Sequence, residues 1–304
     1  MLLPIFMVVL RREYRERAVG AFMASMLLSC TFSFLMWFHV IPPSRFMDEG
    51  DPIVSMGHIS YAPFLTIAIY ISLFYLLLNP ESGKRKKIVA AIAAVALSMN
   101  MFIINGRAGQ VSFFVMIVIV IFQYYRKSLF RALTVASVAL PLLLFATYNI
   151  SSAFRERSRQ AISEIQQYGD GINTSVGLRI AFTRNSLDII RENALFGVGT
   201  GGFSREYERV NKCNTPTLLA TSQPHNMYML ELVQFGVIGL ASLLSILYAQ
   251  IRIALRSNLP LQKHVGLTLP LIFAVIMLSD SYLLGHFTTM LFIYFSAILY
   301  QDES

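Results

Sequence analysis

KRKKIVAAIAAVALSMNMFIINGRAGQVSFFVMIVIVIFQYYRK, residues 84–127, decides the fold. Four basic residues open the stretch, and Arg126 and Lys127 close it. Between them lie two apolar runs, near 88–105 and 110–125, separated by a tight turn that carries Arg107. A helix needs about 20 residues to cross the hydrocarbon of a bilayer. Inside that layer every backbone N–H and C=O must be satisfied within the segment, and a helix does this. The stretch therefore reads as two spans folded back on each other. Because Lys and Arg collect on the cytoplasmic side of short loops, its two ends face the cytoplasm and Arg107 faces outward.

The same pattern repeats along the chain. Of 304 residues, 55% are hydrophobic and only 14% charged, against about 25% charged in soluble domains. Further spans are expected near 20–40, 62–79, 130–149 and 226–249, and the run 265–300 holds two more. The expected fold is an all-α, polytopic membrane helical bundle of about eight spans, with residues 1–304 forming a single membrane domain. MLLPIFMVVL, followed directly by RREYRER, reads as the cytoplasmic end of a truncated N-terminal helix whose start is expected upstream.

Charge placement supports this topology. Arg11, Arg12, Arg15 and Arg17 form one cluster and Lys84, Arg85, Lys86 and Lys87 a second. Arg126, Lys127 and Arg131 form the third, and Arg252, Arg256 and Lys263 the fourth. All four fall on the same side of the alternating spans. The net charge of +8 thus reports orientation rather than a nucleic-acid partner. Cys30 lies in a span and Cys213 in an outer loop, so no disulfide is expected, and no zinc-like spacing occurs.

Residues 150–225 form one large outer loop with the composition of a folded, helical subdomain. SSAFRERSRQAISEIQQYG reads as an amphipathic helix capped by Ser151 or Ser152 and ending at Gly169. NTSVGLRIAFTRNSLDIIREN reads as a second, capped by Thr174 or Ser175, with Leu178, Ala181, Phe182 and Ile189 on one stripe. LFGVGTGGFSREY then reads as a glycine-rich turn. Its G-x-G-x-x-G letters follow a helix rather than a strand, which removes dinucleotide binding. A backbone-amide anion nest stays open for it.

Three residues carry candidate chemistry. Arg107 is either an interfacial arginine reaching the headgroups or an anion ligand, and the adjacent Gly106 and Gly109 would let a ligand approach the backbone. Arg179 stands beside the apolar stripe of the second loop helix, where a solvated arginine is the bland alternative. In TSQPHNMYMLELVQFGVIGL, residues 221–240, Ser222 or Gln223 can cap a helix and Pro224 suits its first position. That would put His225 in the first turn, at the dipole end that attracts anions. The alternative is a histidine filling an interfacial polar gap. Asp280, in a break of the last apolar run, reads as a polar turn, and Gly236 and Gly239 read as close-packing positions.

NGRAGQ at 105–110, SVGLRIAFTRNSLDIIRENALFGVGTGGFSREY at 175–207 and QPHNMYMLELVQFGVIGL at 223–240 together resemble the bacterial O-antigen ligase family. The resemblance covers residues 60–250. It implies a GT-C-like bundle with its active face in the periplasm, above the bacterial inner membrane. It also implies transfer of a glycan from an undecaprenyl-diphosphate-linked donor to a lipid A core acceptor, without metal or cofactor. By the same resemblance Arg107 and Arg179 would bind the donor diphosphate and His225 would act at that centre. O-antigen polymerases and protein O-oligosaccharyltransferases share the domain and remain alternatives. A lipid-linked glycan transporter fits less well, because transporters place ionisable residues near the bilayer midplane. Here the candidates sit at one outer face.

Overall fold

Charged and glycine-containing turns set where the helices begin and end in the computed structural model. It describes residues 5–6, 10, 12–42, 52–53, 56–104, 106–166 and 174–301. Among these, every regular element is helical. The α-helices are α1 (Arg15–Trp37), α2 (His58–Leu73), α3 (Lys84–Ile103), α4 (Arg107–Tyr124), α5 (Leu129–Ile150) and α6 (Ser152–Gln166). After them come α7 (Ser175–Glu192), α8 (Phe203–Asn214), α9 (Met227–Arg256), α10 (Pro260–Ile276) and α11 (His286–Leu299). Among the described residues, six helices are long and apolar enough to cross a membrane: α1, α2 with its π-helical extension Phe74–Leu78, α3, α4, α5 and α9. Helices α10 and α11 are apolar but shorter, at 17 and 14 residues.

The chain divides into two compact units. One comprises Met1–Arg157, Gln250–Ile272 and His286–Ser304; the other comprises Ser158–Ala249 and Phe273–Gly285.

In the first unit α2 is the most buried span and packs against α3, α4 and α11. Between helices in lipid, tight packing and interhelical hydrogen bonds replace the hydrophobic drive available in water. Both devices occur here. Thr66 and Ser112 share a 2.7 Å hydrogen bond, and Asn100 donates to Ser33 Oγ at 2.6 Å. Gly109 lets α4 close on α2, since a Cβ there would stand 2.7 Å from Ala62 Cβ and 3.0 Å from Met101 Sδ.

The two loop helices form as the sequence predicts, and a third follows them. Thr174 caps α7, accepting from Gly177 N–H at 3.1 Å, while Glu164 Oε2 accepts from Val176 N–H at 3.1 Å. Ala181, Phe182 and Ile189 of the expected stripe are buried and Leu178 is half-buried. The expected end of the preceding helix, Gly169, lies outside the described residues. The segment FSREY is not turn but the start of α8. Phe203, Tyr207 and Val210, at helical spacing, are its buried face. On its outer side Arg209 pairs with Glu206 at 2.9 Å and also with Glu192, and Lys212 pairs with Glu208 at 2.8 Å.

Candidate active site

A buried polar hub holds α8 on α7. The Asn185 amide lies 3.1 Å from Tyr207 Oη, 2.9 Å from Thr215 Oγ1 and 3.3 Å from Asn211 Oδ1. Its carbonyl accepts from Asn214 at 3.2 Å. Side chains this buried and this fully bonded fix one arrangement of their helices. The Tyr207 ring in turn meets Phe182 edge-on, with centroids 6.0 Å apart.

Phe182 is the floor for His225. Their rings stack at 5.7 Å with 25° between planes. On its edge His225 meets Asp280: Nδ1 lies 3.3 Å from Oδ2. An ionised carboxylate only accepts hydrogen bonds, so Nδ1 is the donor of this pair. Asp280 is buried, and its other oxygen accepts from Ser281 N–H at 2.7 Å. The His225 side chain keeps 31% of its surface exposed, against 10% for Asp280. The carboxylate is therefore hidden behind an imidazole that faces outward.

The backbone corrects one expectation. His225 is not in the first turn of its helix. It precedes α9 with a left-handed φ of 51°, a conformation that histidine adopts more readily than most non-glycine residues. Asn226 is the cap: its side-chain oxygen accepts from Met229 N–H at 3.1 Å. The Asn226 amide also donates to Leu278 O at 3.2 Å, and Met227 N–H donates to Met277 O at 2.9 Å. These bonds tie the start of α9 to the turn that carries Asp280. Outliers of this kind cost about 1–3 kcal/mol and concentrate at functional sites.

Arg179 lies one turn before Phe182 on α7 and is exposed. Its charge and that of Asp280 both act on Tyr282, whose phenol burial pushes up to about 12. Arg179, His225, Asp280 and Tyr282 thus belong to the same unit. Arg107 belongs to the other unit, where it opens α4 after the Gly106 cap. Only Gly106 can serve ligand approach there, because Gly109 is occupied by helix packing. Gln110, in the same first turn, is buried, and its amide nitrogen has no hydrogen-bond partner among the described residues.

Much of the glycine run's backbone bonds to protein. Helix α9 breaks at Gly236, whose φ is 64° and ψ −158°. A broken helix in a membrane must have its freed backbone groups satisfied by other protein. Val198 and Gly199 N–H donate at 2.8 Å to the carbonyls of Val233 and Gln234, and Val237 N–H donates at 2.9 Å to Ala194 O. Two amides of the run are thus used to mend the break. Contact is backbone to backbone: a Cβ on Gly197 would lie 2.4 Å from Gln234 C, and one on Gly236 2.3 Å from Leu195 C. The Gly236 position is therefore a built break rather than simple close packing. Sequence reasoning missed Asp280 and Asn226, although a lone carboxylate interrupting an apolar run was a usable signal.

A family model described as O-antigen ligase matches residues 92–244. The chain is also 24% identical over 205 residues to an uncharacterized protein of Haemophilus influenzae. That alignment covers 65% of the chain and 50% of the relative, so the chain spans about half of that protein's length. The matched region runs from within α3 through the glycine run and past the break in α9, and the chain belongs to the O-antigen ligase family.

Proposed function

We propose that the protein is an O-antigen ligase-type glycosyltransferase. It moves a glycan from undecaprenyl diphosphate to the lipid A core at the periplasmic face of the bacterial inner membrane. The observation that carries this reading is the His225–Asp280 pair, whose imidazole stacks on Phe182, one helical turn from the exposed Arg179.

The acceptor hydroxyl oxygen attacks the anomeric carbon of the donor as the bond from that carbon to the diphosphate oxygen breaks. The bonding pair leaves with the diphosphate, and the hydroxyl proton passes to Nε2 of His225. Asp280, bonded at Nδ1, holds the ring in the right tautomer and stabilises the imidazolium that forms. The leaving diphosphate gains charge, and Arg179 offsets it through charge-assisted bonds that strengthen as the charge grows, a role that the family resemblance also implies for Arg107.

The test is restoration of O-antigen on lipid A core in a strain lacking its own ligase. The wild-type chain should restore it, and His225→Ala, Arg179→Ala and Arg107→Ala should not. Long lipid-linked chains in a polymerase-deficient strain, with no ligation, would replace this reading with polymerisation. Intact glycan transfer in all three variants would overturn it.

A further inference from the structure

Helix α4 ends far from Arg107 in a second site that the proposed chemistry does not use. Its 18 residues span about 27 Å at 1.5 Å per residue, so Arg107 and Arg126 stand at opposite ends of the same helix. At the Arg126 end lies a cavity of about 390 Å³ within the first unit. Val118, Ile119 and Phe122 of α4 form one wall, Leu267 and Leu271 of α10 another, and Leu255 of α9 closes the side.

The polar lining is gathered at one end. Arg126 follows the last turn of α4, and Lys263 lies in the first turn of α10. Among the described residues neither cation forms an ion pair. From each cation the apolar wall runs inward: Val118 is eight residues from Arg126, and Leu271 eight from Lys263. Eight helical residues are about 12 Å, close to the depth of one leaflet in a hydrocarbon core of about 30 Å. Cations at the rim over a leaflet-deep apolar trough match an amphiphile with an acidic head.

A rigid frame holds this geometry. The His264 ring Nδ1 is 2.9 Å from Gln123 Oε1, and Gln123 Nε2 donates to Thr268 Oγ1 at 3.0 Å. Tyr70 Oη donates to the same Gln123 oxygen and lies 2.9 Å from His264 O. The first turn of α10, which carries Lys263, is thereby fixed to α2 and α4 beside the cavity that Arg126 also lines.

We infer that this cavity is a binding site for one acidic phospholipid of the leaflet on the basic face. Its phosphate lies between Arg126 and Lys263, and an acyl chain lies along Val118, Phe122, Leu267 and Leu271. Basic pockets between spanning helices on the cytoplasmic side are suited to acidic headgroups.

The test uses the full chain, reconstituted in vesicles of phosphatidylglycerol and phosphatidylcholine, extracted in neutral detergent and weighed by native mass spectrometry. The wild-type chain should retain one phosphatidylglycerol in preference to phosphatidylcholine, on the order of thirtyfold for two cations. Arg126→Gln with Lys263→Gln should abolish that preference, and each single variant should weaken it. Leu267→Trp, which fills the trough and keeps both cations, should lose the lipid, whereas Arg131→Gln should keep it. Unchanged preference in the double variant, or an unchanged lipid in Leu267→Trp, overturns the inference. So does inorganic phosphate that displaces the lipid completely, because headgroup charge alone would then explain retention. None of these readouts depends on glycan transfer, so the site stands or falls apart from the proposed reaction.

Discussion

His225 Nδ1 and Asp280 Oδ2 are 3.3 Å apart although 55 residues separate them. If the imidazole takes the acceptor proton, His225→Ala should lower transfer by about 10²–10⁴-fold, the usual worth of a positioned acid–base group. Asp280→Asn should lower it by about tenfold or more, through lost orientation of the ring. Transfer rates in membranes carrying lipid-linked glycan, measured across pH, check both. An Asp280→Asn enzyme with the wild-type rate and pH profile would separate the carboxylate from the chemistry.

The arginines should respond to shape as well as charge. Arg179→Ala should cost about 2.7–4 kcal/mol of transition-state stabilisation, by analogy with removing one oxyanion donor. Arg179→Lys should recover only part, because an ammonium cannot reproduce the bidentate fork. Comparing rates for the two variants at saturating donor measures the difference.

The mended break in α9 should be sensitive to a single methyl group. At Gly197 and Gly236 an added Cβ would meet backbone at 2.4 and 2.3 Å. Gly197→Ala and Gly236→Ala should therefore each destabilise by well over the ~1–3 kcal/mol of conformational strain alone. Gly20→Ala is the control, since nothing lies within 4 Å of its Cβ position. There, inside α1, alanine should stabilise by roughly 0.5–1 kcal/mol. Thermal unfolding in detergent ranks the three.

Tyr282 predicts an alkaline limit. Burial first, and then Asp280, push its phenol up from 10.0 to about 12, with Arg179 working in the opposite sense. A raised value means that the folded state holds the proton longer than the unfolded state. The associated stability is complete below pH 10 and is lost as pH rises through about 12. The thermal midpoint should fall across that window, and Tyr282→Phe should fall less steeply. Equal slopes would show that Tyr282 does not titrate as its surroundings require.

Asn185 tests the frame behind His225. Asn185→Ala removes one bond each from Tyr207, Asn211 and Thr215, of which Asn211 and Thr215 keep their mutual bond, and should destabilise by about 1–3 kcal/mol. It should also reduce transfer, because Tyr207 supports Phe182 and Phe182 supports the imidazole. Asn185→Asp should not rescue it, since the amide donors are what the hub uses.

Much of this was legible in the chain itself. The apolar lengths and basic clusters marked the spans, and cap residues such as Thr174 marked α7 within a residue. Helix α8 was hidden because glycines directly precede FSREYERVNKCN, so the turn signal masked a short amphipathic period. Local capping rules also placed His225 one turn too deep, because Ser222 and Gln223 are as suitable a cap in letters as Asn226. Which residue caps depends on the bonds from Asn226 and Met227 to Leu278 and Met277, and those partners are remote in sequence.

The sequence by itself determined the helical membrane architecture, because span length and loop charge follow from the bilayer's thickness and from its intolerance of unpaired backbone groups. It also singled out Arg107, Arg179 and His225 as candidates. Only the tertiary structure decided that Asp280 is the partner of His225, that Phe182 stacks beneath it, and that Gly197 and Gly236 complete each other. These relationships join segments tens of residues apart, and they hold because buried polar groups must find partners wherever the fold supplies them.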